Sequence, residues 1–170
     1  MRLAVASDAL RLGVLATQVF LDTYATEGIS TAIAREVQAS FSTAAMQSII
    51  DNASSHLCVA ERAGHLIGFA QTTVGTAQAL VQAALPAELD RLYVQEPYTR
   101  SGVGSALLRE AERCALQGGC GALWLSPWVH NHRALKFYAH HGYRNLGITV
   151  FMMNAEAIDN FVLAKVLPGG

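Results

Sequence analysis

The sequence is short of charge. Asp, Glu, Lys and Arg together make up 15% of its 170 residues, and the formal net charge is −1. A nucleic-acid or anionic-membrane partner would call for a basic face, and this balance offers no electrostatic case for either. Cysteine is scarce too. Cys58, Cys114 and Cys120 have no zinc-like spacing, and an odd number argues against a closed disulfide set. No metal site is expected, and the thiols read as reduced, in a cytoplasmic protein. Cys114 falls on the apolar face of a helix, where packing explains it better than chemistry. Long apolar runs are missing: none approaches the roughly 18 residues needed to cross a bilayer. Asp8 and Arg11 come too early for the apolar region of a secretory signal. With no internal repeat, low-complexity tract or linker, one domain over residues 1–170 is expected.

Apolar residues are plentiful, at 52% with a mean hydropathy of +0.27. That is enough for a substantial core and leaves apolar surface to bury in an oligomer. The strands "LGITVFMM", 146–153, and "FVLAKVL", 161–167, are the surfaces expected to form a homodimer.

Periodicity and turn residues give an element order. "LAVAS" reads as a short strand, with Ser7 or Asp8 capping a helix over 9–21. Ser30 or Thr31 caps a second helical stretch to about residue 52, broken near Ser40. Strands 57–62 and 65–74 form a hairpin over Ala63-Gly64. Residues 75–86 are ambiguous: "TAQALVQAAL" favours helix, and Pro86 ends it. A strand over 87–94, a helix over 102–117, the buried strand "ALWLSPWV", a short helix over 131–142 and two late strands complete the chain. The order βααβββαβαββ implies an α/β fold with a mixed sheet and helices on both faces.

The stretch "YTRSGVGSALLREAERCALQGG", 98–119, sets two glycines one residue apart at the start of a helix. Glycine lets backbone approach a ligand closely, and the first N–H groups of a helix favour an anion. A P-loop would carry Gly-Lys-Ser/Thr, but Gly104 is followed by Ser105 and Ala106. A dinucleotide fingerprint needs a third small residue where Leu107 stands, and an acid in the region 121–126, which has none. What remains is a lysine-free phosphate cradle around Gly102, Val103 and Gly104, or an ordinary tight strand-to-helix turn.

Two motifs taken together decide more. "LDRLYVQEPYTRSGVGSALL", 89–108, and "LWLSPWVHNHRALKFYAHHGY", 123–143, resemble the GNAT superfamily of N-acetyltransferases in residue type, order and spacing. The resemblance implies a single-domain GNAT-like fold with a mixed, mostly antiparallel central sheet, and acetyl-CoA as co-substrate. It places the pantetheine arm along Leu92, Tyr93 and Val94. It places the pyrophosphate at the N–H groups of Thr99, Arg100, Ser101, Gly102, Val103, Gly104 and Ser105. The family commonly carries Gln or Arg where Thr99 stands and a basic residue where Ser101 stands, so the cradle relies on backbone N–H groups, with Arg100 the one nearby cation.

The resemblance also puts Tyr138 at the general-acid position and makes Asn131 the helix-capping residue that contacts pantetheine. For the base it offers Glu88, which shares a strand face with Asp90 by alternation; Ser126 occupies the place where some members have a glutamate. His130 is a further candidate, and Arg133, Lys136 and His132 could reach nucleotide phosphates. The acceptor, a small-molecule or peptide amine, would lie between "LDTYATEGI" and "NAEAID", 154–159. "VFLDTYATEG", 19–28, is similar to the polyamine acetyltransferase branch, and Asp22, Glu27, Glu88 and Asp90 could attract a cation. The reading from another class is a non-catalytic acyl-CoA-binding module.

Overall fold

The computed structural model describes residues 1–153 and 156–168. In chain order the elements among them are β1 (Arg2–Leu3), α1 (Ala9–Tyr24), α2 (Thr31–Ser40), α3 (Thr43–Asp51), β2 (Ser55–Arg62), β3 (His65–Val74), β4 (Pro86–Val94), α4 (Val103–Gln117), β5 (Ala122–Leu125), α5 (His132–His140), β6 (Arg144–Met153) and β7 (Glu156–Val166). The strands form one sheet in the order β1-β2-β3-β4-β5-β7-β6. Every adjacent pair is antiparallel except β4 and β5. That pair is joined through α4, as parallel neighbours require a crossover. The expected mixed, mostly antiparallel sheet is found.

Helices cover both faces. Leu107, Leu108, Ala111 and Ala115 of α4 pack with Ile67, Leu89 and Leu123, and Cys114 is buried on the same helix face. Across the sheet, Leu12, Leu15, Ala16 and Phe20 of α1 and Met46 of α3 pack with Leu57, Val59 and Phe69. Each fully buried leucine or phenylalanine contributes about 1.5–3 kcal/mol of transfer free energy.

Several boundaries differ from the sequence reading. The first strand shrinks to two residues because Ala6–Asp8 turn as a 3-10 helix. Asp8 does not cap α1 with its side chain; its carboxylate is buried, accepts the Val5 N–H at 2.9 Å, and pairs with Arg2 at 2.6 Å and with Arg11. The break near Ser40 is real: Ser42 caps α3, and Phe41 between the helices is buried. No helix forms over 75–85. Gly75 takes φ +81°, its N–H donates to the Pro86 carbonyl, and the Trp124 indole donates to the Thr76 carbonyl at 2.9 Å. The two strands this segment must join override its helical composition. β5 ends at Leu125, ahead of Pro127, and Trp128 returns to make a single bridge with Asn160.

Candidate active site

Two irregularities in β4 build the site. The first is a bulge. Thr72 pairs with Leu89 and Gln71 with Arg91, so Asp90 is an extra residue in the ladder. Glu88, Arg91 and Tyr93 then share the face of their partners Thr73, Gln71 and Phe69, while Leu92 and Val94 pack on the α4 side. The second is a parting of strands. β4 pairs with β5 only over Pro86, Ala87 and Glu88. Beyond that rung the β5 side of β4 has no strand partner, and its peptide groups are free to bond an extended ligand.

A cavity of about 500 Å3 occupies this split. It is lined by Val19, Thr23 and Tyr24 of α1 on one side of the sheet, and by Gly104 and Ser105 of α4 and Phe137 and Tyr138 of α5 on the other. It therefore passes through the sheet. Leu92, Tyr93, Val94, Thr99, Arg100, Gly102, Asn131 and Arg133 complete most of the wall.

At one end lies the glycine turn. Gly102 is the N-cap of α4 at φ +86°, and Arg100 has φ +60°. No side chain caps α4, and the first intrahelical bond there is from the Ala106 N–H to the Gly102 carbonyl. The N–H groups of Val103, Gly104 and Ser105 thus have no helical partner, and Gly104 and Ser105 line the cavity. A Cβ on Gly102 would meet nothing within 4 Å, so open space lies beside the cradle. Asn131 accepts the Ala134 N–H at 3.1 Å, the expected cap, and faces the cavity.

Tyr138 is buried, with its ring against Phe137 at 5.2 Å and Tyr143 at 5.6 Å. Its hydroxyl has no hydrogen-bond partner among the described residues. Burial raises its pKa above the ordinary value of 10, and the nearby phenols of Tyr93 and Tyr24 add to the shift, so three tyrosines converge on one cavity. Glu88 stands outside the cavity wall, at the last paired rung. Its carboxyl is pushed up to about 7, by burial first and Asp90 next, with Arg91 opposing. Asp90 accepts from Thr73 at 2.8 Å, and Thr73 pairs with Glu88, so the two acids do share a face.

Not every expected residue reaches the cavity. The Ser101 hydroxyl turns back onto the Tyr98 carbonyl at 2.6 Å, and Val103 packs into the core. Thr99 lines the cavity, but its hydroxyl is spent on the Glu96 carbonyl at 2.9 Å. Arg133 lines it, paired with Glu96 at 2.5 Å. The segment 154–159 falls partly outside the described residues. The segment offered for the acceptor, 21–29, does bring Thr23 and Tyr24 to the cavity, but on the last turn of α1 rather than on a loop, because the helix runs three residues further than the sequence reading gave it. Val19 was not singled out as a site residue, and its i, i+4 spacing from Thr23 was the available signal.

The sequence pattern of the acetyltransferase (GNAT) family matches residues 25–143. The chain belongs to that family. Members are acyltransferases whose acetyl donor is acetyl-CoA, and the unpartnered helix N-terminus, the open edge of β4 and the through-sheet cavity fit that donor. The chain is 29% identical over 104 residues to an uncharacterized N-acetyltransferase from the pepI 3′ region of Lactobacillus delbrueckii subsp. lactis. That match spans 61% of this chain and 60% of the other. It is 26% identical over 135 residues to an uncharacterized N-acetyltransferase of Mycobacterium bovis, covering 79% and 82% of the two. The GNAT fold here superposes on PaiA N-acetyltransferase from Thermoplasma acidophilum, a complex with coenzyme A, with a TM-score of 0.73. Identity to it is 23%, with 96% and 95% of the two chains covered.

Proposed function

We propose that the protein moves the acetyl group of acetyl-CoA onto a primary amine of a small molecule or peptide by direct attack. The observation that carries this reading is the cavity through the sheet, with a phosphate cradle at one end and Tyr138 in its wall. Acetyl-CoA supplies the acetyl group as a thioester. The N–H groups of Val103, Gly104 and Ser105 and the α4 dipole hold the pyrophosphate, with Arg100 beside them. The free edge of Leu92, Tyr93 and Val94 bonds the pantetheine amides, and Asn131 approaches the same arm.

Tyr138 acts as the general acid at the departing sulfur. Its raised pKa keeps it protonated, so it donates from Oη; a thiol titrates near 8.5, so the phenol acts first as a hydrogen-bond donor. Glu88 acts as the base, reached through a water because it stands outside the cavity wall. With a carboxyl pushed up to about 7, it can take a proton near neutrality. This matters most for a lysine-like amine, which at pH 7 is neutral in about one molecule in 2,500; an α-amine near 7.8 lies only about 1 kcal/mol uphill.

Asp22, Glu27, Glu88 and Asp90 favour a cationic acceptor, polyamines included. The three free, buried cysteines accord with a cytoplasmic protein. One feature favours the second reading, a non-catalytic acyl-CoA-binding module: the Thr99 and Ser101 hydroxyls are turned onto backbone carbonyls and leave the cradle poor in side-chain donors. Thiol release from acetyl-CoA over a panel of polyamines, amino acids, aminoglycosides and peptide N-termini separates the two. Amine-dependent release supports the transferase; binding of acetyl-CoA without turnover across the panel supports the module.

A further inference from the structure

Ser105 is the third residue of α4 and lines the cradle end of the cavity. Its hydroxyl oxygen lies 3.0 Å from Nε2 of His141. His141 follows the last residue of α5, with its ring against Phe137 at 4.6 Å and His140 at 5.3 Å. The imidazole is thus tied to the cradle by one hydrogen bond and held in place by a ring that itself lines the cavity. We propose that His141 is a positioning residue of the diphosphate cradle: it donates Nε2–H to Ser105 Oγ, aims the Ser105 proton at the coenzyme A diphosphate, and takes up a proton when the coenzyme binds. This rests on the coenzyme site proposed above.

A serine hydroxyl has one proton and two lone pairs. If that proton goes to a phosphate oxygen, the partner at 3.0 Å must donate, which fixes the proton of a neutral His141 on Nε2. Nδ1 is then the atom that accepts a proton from solvent, giving an imidazolium one hydroxyl away from the diphosphate. In the free protein several groups act on this ring. Burial lowers its pKa below the ordinary value, and His140 on α5, Lys165 on β7 and Arg109 on α4 push the same way, while Glu112 on α4 opposes them. His141 is therefore neutral at pH 7 before the coenzyme arrives. Two negative charges beside Ser105 reverse the balance and raise the pKa in the complex. The sign follows: a pKa raised by binding makes binding tighter below the free-state pKa, and the gain is lost as pH rises through the bound-state value.

The test is calorimetry with 3′-dephospho-CoA, which lacks the phosphomonoester that would itself titrate near 6. For the wild type, affinity should be about fivefold tighter at pH 6 than at pH 8, with net proton uptake in buffers of different ionisation enthalpy. His141→Gln keeps an N–H donor for Ser105 but cannot titrate. It should bind within about twofold of wild type at pH 8 and lose the pH dependence and the proton uptake. Ser105→Ala should weaken binding at both pH values and flatten the profile, and it carries the test if the His141 variant does not fold. An unchanged pH slope in His141→Gln, or an unaltered affinity in Ser105→Ala, would overturn the role of His141 while leaving the coenzyme site standing. No binding of 3′-dephospho-CoA by the wild type would overturn both.

Discussion

Glu88 faces Trp124 across the last rung on which β4 and β5 pair, and past this rung the two strands diverge around the cavity. The carboxyl therefore sits at the apex of the split, where burial and Asp90 push it up to about 7. As base it must be deprotonated, so kcat/KM should rise with pH through about 7 and then level off. Glu88→Gln should lower the plateau by about 10²-fold and abolish that inflection. A variant with the wild-type profile would assign the inflection to the acceptor amine instead.

The cradle gives a second prediction. A Cβ at Gly104 would rest 3.6 Å from the Phe137 ring, an ordinary contact, so the fold tolerates it, but the branches of valine would fill the space by the unpartnered N–H groups. Gly104→Val should weaken coenzyme A binding by at least about tenfold in calorimetry. Its melting temperature should stay within about 4 °C of wild type. Unchanged affinity in the folded variant would place the pyrophosphate elsewhere.

Asp8 gives a prediction about stability alone. Its carboxylate is fully buried, and the Arg2 guanidinium first, then the Val5 N–H and Arg11, hold it well below the usual carboxylate range. Asp8→Asn should cost about 2 kcal/mol, less than the 3–5 of a fully buried pair because both arginines reach solvent. The folded-state pKa is depressed, so this stabilisation is present above the unfolded value near 3.9 and fades as pH falls below it. Denaturant melts of wild type and variant should differ at pH 7 and converge at low pH; an equal difference at both would contradict the pairing.

The glycine turn was legible as local chemistry, an αL cap at a helix start, whereas Asn131 and Tyr138 were singled out through the two family-like motifs, since helical spacing alone marks Tyr138 only as a core aromatic. What was hidden depends on pairing between distant segments. Plain alternation sets Glu88, Asp90, Leu92 and Val94 on one face, whereas the extra residue at Asp90 moves Leu92 and Val94 to the other. Residues 75–85 have helical composition but must join two strands. Tyr24 looked like loop because nothing local marks the last turn of α1 as facing a cavity.

The oligomer expectation divides along the same line. "FVLAKVL" lies on β7 up to Val166, inside the sheet with Val162 and Leu163 buried, and Leu167 just past the strand is buried too. "LGITVFMM" belongs to the edge strand β6, where Ile148, Val150 and Met152 alternate onto one face and Leu146 stands at a bulge, all four exposed. Pairing of β6 should give a homodimer by light scattering at micromolar concentration, and Val150→Asp should dissociate it. A monomer of 18.2 kDa for the wild type would contradict it.

The central claim is that the cavity through the sheet is an acetyl-transfer site with Tyr138 as its proton donor. The most direct measurement is kcat for amine-dependent thiol release by Tyr138→Phe, with coenzyme A affinity and melting temperature taken on the same sample. The change removes one oxygen whose hydroxyl has no protein partner among the described residues, so packing and coenzyme affinity should hold. The lost interaction belongs to the transition state, and kcat should fall by about 10²–10⁴-fold. A kcat within about threefold of wild type, or a loss of activity that only tracks a loss of thermal stability, would contradict the account.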